Sequence, residues 1–125
     1  IYNRWWSEKH HGVKEIIIGG DTSFVCSIDK NPTIASHLKG HLMLSTGDID
    51  NNVHPANTIR LANELIKANK RFDLVILPGQ RHGYGDMTEY FWWRMADYFS
   101  KYLMGDDTER SVNITEIEND MPMNK

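Results

Sequence analysis

Two polar segments of the chain carry the residue types that acid–base chemistry needs. Each follows a short apolar run and precedes a run in which apolar residues recur at helical spacing. The candidate pair is Asp50 and His82, because a carboxylate can fix the tautomer of a histidine and stabilise the imidazolium that forms when the ring takes a proton. The two segments are Gly47-Asp48-Ile49-Asp50-Asn51-Asn52-Val53-His54 and Pro78-Gly79-Gln80-Arg81-His82-Gly83-Tyr84-Gly85.

The elements around these segments indicate why the two side chains should meet. Residues 41–46 and 72–77 are apolar runs typical of buried strands. A helix of about four turns is predicted after Pro55. A second helix is predicted after Asp86, which forms a capping pattern with Glu89. Two successive strand-loop-helix units predict adjacent parallel strands, an α/β fold, and both segments at the carboxyl edge of the sheet, where ligands bind.

The two ends of the chain are less regular than this central part. Residues 13–18 and 23–28 favour β-structure and predict a hairpin around a glycine-containing turn. Gly105 is the expected stop of the last long helix. Residues 106–125 predict a polar tail with at most one helical turn, near residues 114–118.

The order of the pair along the chain raises the question of a nucleophile. An aspartate followed later by a histidine is the order of α/β-hydrolases, in which a serine on a G-x-S-x-G turn comes first. None of the serines in this sequence has the flanking glycines, and Ser45 falls inside a predicted strand. Either the nucleophile lies outside this sequence or the pair is not part of a triad.

Plainer interpretations of the same residues stay open. Asp50 or Asp48 could cap the helix that follows Pro55, and His82 could bond only to local backbone. His54 is expected to have a structural role in its loop. Zinc binding by His54, His82 and Asp50 is conceivable, but neither an H-x-x-x-H spacing nor a cysteine pair supports it. We therefore expect no metal and no other cofactor.

Composition limits the classes of function and partner. The 125 residues include 14 Lys and Arg against 17 Asp and Glu, a formal net charge of −3. Phosphate binding needs clustered positive charge, so no nucleic-acid partner is expected. No apolar run approaches the roughly 18 residues of a membrane span. Because the sequence begins with Ile1 rather than Met, we expect it to be cut from a larger protein, and the lack of a signal peptide does not indicate a cytoplasmic location.

The two polar segments together resemble the catalytic domain of dipeptidyl peptidase IV-like serine peptidases, in the prolyl oligopeptidase family, and bacterial members above all. The resemblance runs from about Tyr2 to Leu103 and depends on the G-x-x-D-x-N-V-H loop with a downstream H-G. It implies that the chain is the C-terminal half of an α/β-hydrolase domain, with parallel strands, flanking helices and a small β-hairpin.

The resemblance also implies roles for five residues. Asp50 and His82 stand where the family has its triad aspartate and histidine. Asn52 matches an asparagine that hydrogen-bonds the substrate backbone near its N-terminus. Val53 matches a wall of the small pocket for proline or alanine, and Tyr2 matches a tyrosine of that pocket. The triad serine and the oxyanion donors would lie outside this sequence.

By this resemblance, the parent protein is a serine exopeptidase that releases dipeptides with proline or alanine in second place, in the periplasm or cell envelope. The peptide is its substrate, and the chain alone is expected to be inactive. Residues 1–105 would belong to the catalytic domain, with the hairpin at about 13–28 and strand-helix units at about 41–69 and 72–104. Residues 106–125 would form the tail.

Two other functions stay open. One is a general esterase or acylaminoacyl peptidase on the same scaffold, although Asn52 and Val53 after the aspartate favour the dipeptidyl branch. The other is a non-catalytic assembly domain. Two central strands are few for an independent sheet, so we expect either self-association or packing against the rest of the domain.

Overall fold

The computed structural model describes residues 13–26 and 30–120 of the chain. These residues form two compact units, the first ending at His82 and the second beginning at Gly83. The described elements of the first unit are β1 (Val13–Ile18), β2 (Asp21–Cys26), α1 (Asn31–Ile34) with a 3₁₀ turn (Ala35–His37), β3 (Met43–Gly47), α2 (Ala56–Lys67) and β4 (Asp73–Leu77). The second unit contains a 3₁₀ turn (Gly85–Met87), α3 (Thr88–Met104) and α4 (Ile114–Asp120).

Strands β1 and β2 form an antiparallel hairpin, as the sequence predicts. Val13 lies opposite Cys26 and Ile18 lies opposite Asp21. Only Gly19 and Gly20 form the turn, with φ angles of +61° and +92°. Glycine adopts positive φ without steric cost, so a two-residue turn suffices and the second strand begins earlier than expected.

Strands β3 and β4 are adjacent and parallel, which confirms the predicted topology and the α/β class. Their register places Met43 opposite Asp73 and Gly47 opposite Leu77. Leu77 of β4 and Leu65 of α2 are each only 1% exposed and form the centre of this small core. Helix α2 packs against β3. The buried centre therefore lies directly beneath the strand ends from which both polar loops leave.

The second unit consists of two helices joined by a polar connection. Helix α3 ends at Gly105, whose φ of +69° closes the helix in the left-handed conformation, as predicted. The residue at the N-terminal cap of α3 is Met87 rather than the predicted Asp86, and it makes no side-chain capping hydrogen bond. The Thr88 hydroxyl donates instead to the carbonyl of Gly85, at 2.7 Å.

Helix α4 lies in the segment for which the sequence predicts a polar tail. It spans seven residues rather than a single turn. The Trp93 indole of α3 donates a hydrogen bond to Glu118 of α4, at 3.1 Å. Trp93 and Glu118 are 25 positions apart, so their bond is a tertiary interaction that the local sequence pattern does not contain. Within the described residues, no helix combines the length and the apolarity needed to cross a membrane.

Candidate active site

Two loops at one edge of the β3–β4 sheet form the site. The aspartate loop, residues 48–54, follows β3, and the histidine loop, residues 78–82, follows β4. Parallel neighbouring strands send their following loops to the same edge of a sheet, so the fold places these loops side by side. Both loops belong to the first unit of the chain.

The contact between the loops is close because Gly47 has no side chain. A Cβ added there would collide with the Gln80 carbonyl oxygen and would lie 2.8 Å from the Arg81 carbonyl oxygen. Just beyond Gly47, the Ile49 N–H donates to the Gln80 carbonyl at 3.2 Å. The backbone pairing of the two strands therefore continues past their ends into the loops.

The central feature of the site is a hydrogen bond between Asp50 and His82. The Nδ1 atom of His82 lies 2.8 Å from Oδ2 of Asp50, although the residues are 32 positions apart. Asp50 is only 5% exposed, whereas 58% of the His82 side chain is open to solvent. The structure thus confirms that the two side chains meet. The carboxylate lies in the protein interior, and the imidazole faces the solvent.

The other carboxylate oxygen of Asp50 is held by its own loop. Oδ1 accepts hydrogen bonds from the backbone N–H groups of Asn52, at 2.9 Å, and Val53, at 3.0 Å. Burial by itself raises the pKa of Asp50, but hydrogen bonds from His82, Val53 and Asn52 outweigh that effect and bring the pKa below its ordinary value of 3.8. Asp50 is therefore an ionised carboxylate at neutral pH.

These contacts define what the pair can do chemically. An ionised carboxylate can only accept hydrogen bonds, so the Nδ1 atom of His82 must carry the proton of their shared bond. The lone pair of the neutral ring is then on Nε2, which can take a proton from a reacting group. Asp50 would stabilise the resulting imidazolium, and this arrangement is that of a general base with its orienting acid.

The helix-capping interpretation of Asp50 does not hold. Its acceptor bonds go to Asn52 and Val53 within the loop, and α2 begins only at Ala56. The N–H of Ala56 donates instead to Nδ1 of His54, at 3.2 Å. His54 therefore has the structural role expected of it.

The other predicted site residues have different positions relative to this pair. Asn52 and Val53 lie beside the carboxylate through their backbone, and Val53 is half-buried. Their roles toward a substrate stay predictions. Tyr2 lies outside the described residues. Among residues 13–26 and 30–120, no group of three histidine, cysteine or acidic side chains is arranged to hold a metal ion.

Sequence reasoning considered Asp48 only as a possible helix cap, whereas the structure shows that it joins the aspartate loop to the histidine loop. Its Oδ1 atom accepts a hydrogen bond from the Gly79 N–H at 2.6 Å. The sequence contains one indication of this bond. Pro78 and Gly79 after a strand predict a tight turn, and a turn leaves an N–H outside the sheet that a nearby carboxylate can accept.

Comparison with known proteins agrees with this geometry. The prolyl oligopeptidase family matches residues 23–106, well over half of the chain. The chain therefore belongs to the prolyl oligopeptidase family, which is a family of peptidases. Its two strand-helix units, with the parallel β3–β4 sheet and the separate hairpin, form part of an α/β-hydrolase domain.

Two solved structures are similar to this chain. One is described as a dipeptidyl aminopeptidase IV from Bacteroides ovatus, with a TM-score of 0.55 and 26% identity over 57% of this chain. The other is the dipeptidyl peptidase 4 of Porphyromonas gingivalis, with a TM-score of 0.49 and 35% identity over 54% of this chain. The match spans 10% of each of those proteins. No curated protein matches the chain significantly.

Proposed function

We propose that Asp50 and His82 are the acid and the base of a Ser-His-Asp triad in a serine peptidase that removes dipeptides from peptide N-termini. The observation that carries the proposal is the 2.8 Å hydrogen bond between a buried, ionised Asp50 and an exposed His82 at neighbouring strand ends. Membership of a peptidase family and the name of the similar Bacteroides ovatus structure support the reaction class.

In this mechanism His82 acts twice. Its Nε2 atom takes the proton of the attacking serine hydroxyl and later gives it to the leaving amine. Asp50 holds the ring in the tautomer that leaves Nε2 basic, and its negative charge stabilises the imidazolium between the two transfers. The serine comes from a part of the protein outside this sequence, since no serine here lies on a G-x-S-x-G turn.

The proposed substrate is a peptide with proline or alanine in second place. Asn52 would bond the substrate backbone near its free amine, and Val53 would form one wall of the pocket for the second residue. They lie two and three residues after Asp50, and their N–H groups are anchored on its carboxylate. The same contacts that orient the acid would then also orient the substrate-binding side chains.

The test uses the full-length protein that carries this segment and a Gly-Pro chromogenic amide. Replacing His82 by alanine should lower kcat by about 10⁴-fold or more, because the remaining groups supply only residual catalysis. The matched control is His37→Ala, which removes an exposed histidine from the short 3₁₀ turn. This control should keep wild-type activity.

Two results would contradict the proposal. One is a His82→Ala enzyme that is folded and still turns over at a rate close to that of the His37→Ala control. The other is hydrolysis by the 125-residue chain alone that a serine-directed fluorophosphonate inhibits, since the proposal places the serine elsewhere. Preference for an ester or an acylated amino acid over the dipeptide amide would instead favour the esterase or acylaminoacyl peptidase alternative.

A further inference from the structure

Asp48 makes a side-chain hydrogen bond that runs from the aspartate loop to the backbone of the histidine loop. Its Oδ1 atom lies 2.6 Å from the Gly79 nitrogen, and the two residues are 31 positions apart. The bond lies at the surface, and it is shorter than the usual N–H···O distance of about 2.9–3.0 Å. The side chain of Asp48 therefore links the aspartate loop to the backbone of the histidine loop.

The donor of this bond belongs to a tight turn. Pro78 and Gly79 are the central residues of the turn, Gly79 has a φ of +70°, and the Gln80 N–H donates to the Leu77 carbonyl at 3.3 Å. These are the features of a type II turn, in which a glycine is favoured at the third position. Gly79 of this turn lies three residues before His82. The orientation of the turn therefore affects the position of the His82 backbone, from which the imidazole extends.

Backbone bonds at the same place are longer. The Asp48 N–H donates to the Leu77 carbonyl at 3.3 Å and the Ile49 N–H to the Gln80 carbonyl at 3.2 Å. They hold the residues on either side of Gly79, while the carboxylate of Asp48 holds Gly79 itself. Together the three bonds fix the histidine loop on the loop that carries Asp50.

We infer that Asp48 is a positioning residue for the acid–histidine pair, acting through the Gly79 backbone to hold His82 at bonding distance from Asp50. The inference rests on the proposed function, because it concerns the same pair. Asp48 acts on the loop rather than on the reacting atoms. A displacement of about 1 Å in such a loop can lower the rate of the chemical step by about 10²-fold.

The test compares three substitutions in the full-length protein. Asp48→Ala removes the acceptor and should lower kcat by roughly 10- to 100-fold with KM within about threefold, since the substrate is still bound. Asp48→Asn keeps an oxygen acceptor for the Gly79 N–H and should retain kcat within about threefold of wild type. Asp73→Ala is the matched control, since it removes an exposed aspartate at the opposite end of β4 and should leave both parameters unchanged.

Each outcome decides the inference. An Asp48→Ala enzyme with wild-type kcat would overturn it, and so would an Asp48→Asn enzyme that is folded but loses as much activity as Asp48→Ala. If Asp48→Ala does not fold, Asp48→Asn decides alone: a folded enzyme that keeps kcat and KM within about threefold of wild type supports the inference, and a folded enzyme that loses kcat by more than that overturns it. If His82→Ala is inactive while Asp48→Ala is normal, the inference fails and the triad stands. If His82→Ala is active, the triad itself fails.

Discussion

At the scale of single residues, the site depends on the unequal environments of two side chains. Asp50 is almost completely buried and accepts three hydrogen bonds, while His82 faces solvent. A buried charge is stable only when it is well bonded, and those bonds also keep Asp50 ionised. In the proposed mechanism, the exposed histidine is then free to exchange a proton with the substrate.

The depressed pKa of Asp50 makes a testable contribution to stability. A carboxylate whose pKa is lower in the folded state stabilises the fold fully above its ordinary value of 3.8, and this contribution is lost as the pH falls through the folded-state pKa. Asp50→Asn should therefore lower the Tm of the full-length protein near neutral pH, and the difference from wild type should shrink at pH below about 3.8.

Thermal unfolding followed across that pH range is the measurement. The control is Asp73→Asn, an exposed carboxylate on β4, for which the Tm difference should stay near zero throughout. A difference between wild type and Asp50→Asn that grows on acidification would contradict the assignment of an ionised, bonded Asp50.

At the scale of elements, the site depends on close contact between the end of β3 and the loop that follows β4. Gly47 ends β3 beneath the backbone of Gln80 and Arg81, and the space above it would not admit a methyl group. The atoms that a Cβ at Gly47 would meet belong to the backbone, and backbone atoms cannot rotate away as a side chain can. The separation of the two loops is thus determined by a residue that carries no chemistry.

Gly47→Ala should therefore damage both stability and activity. The added Cβ must push the histidine loop away, and overpacking of this kind costs about 1–3 kcal/mol, which corresponds to a Tm lower by roughly 3–10 °C. Loss of the Asp50–His82 contact should lower kcat as well. The matched control is Gly40→Ala, because a Cβ at Gly40 meets no atom within 4 Å.

Measurement of Tm and kcat on the two variants side by side decides this prediction. Gly40→Ala should leave both values unchanged. A Gly47→Ala protein with the stability and the turnover of Gly40→Ala would show that the loops do not need to lie in such close contact.

At the scale of the whole molecule, the small core leaves large apolar side chains uncovered. Val75 and Leu77 of β4 are buried, but Leu74 and Ile76, on the opposite face of the same strand, are 41% and 48% exposed. Side chains alternate between the two faces of a strand, so one face of β4 is covered and its other face is partly open. We propose that this face is covered by the rest of the catalytic domain or by another copy.

The 125-residue chain alone should consequently associate with itself. Light scattering at increasing concentration should show oligomers, because an open apolar sheet face is a contact surface. Ile76→Thr keeps a β-branched residue and should reduce the association, whereas Val112→Thr, at a fully exposed position outside the helices and strands, should not. A chain that stays monomeric at every concentration would contradict this account.

Much of this arrangement could be predicted from the sequence because it is local. The apolar runs and the glycines after them predicted both strands and their order, and the spacing predicted the long helices. The length of α4 was not predicted, and α4 has a partner outside its own segment, since the Trp93 indole of α3 bonds Glu118. The cap of α3 falls one residue later than predicted, at Met87.

The sequence by itself determined which residues could do chemistry and on which strand ends they lie. Only the tertiary structure decided that Asp50 turns its carboxylate to His82 rather than to a helix end, and that Asp48 bonds Gly79. The reason is physical. Local pattern depends on neighbours three or four positions away, whereas these bonds join residues 31 and 32 positions apart and exist only once β3 and β4 lie side by side.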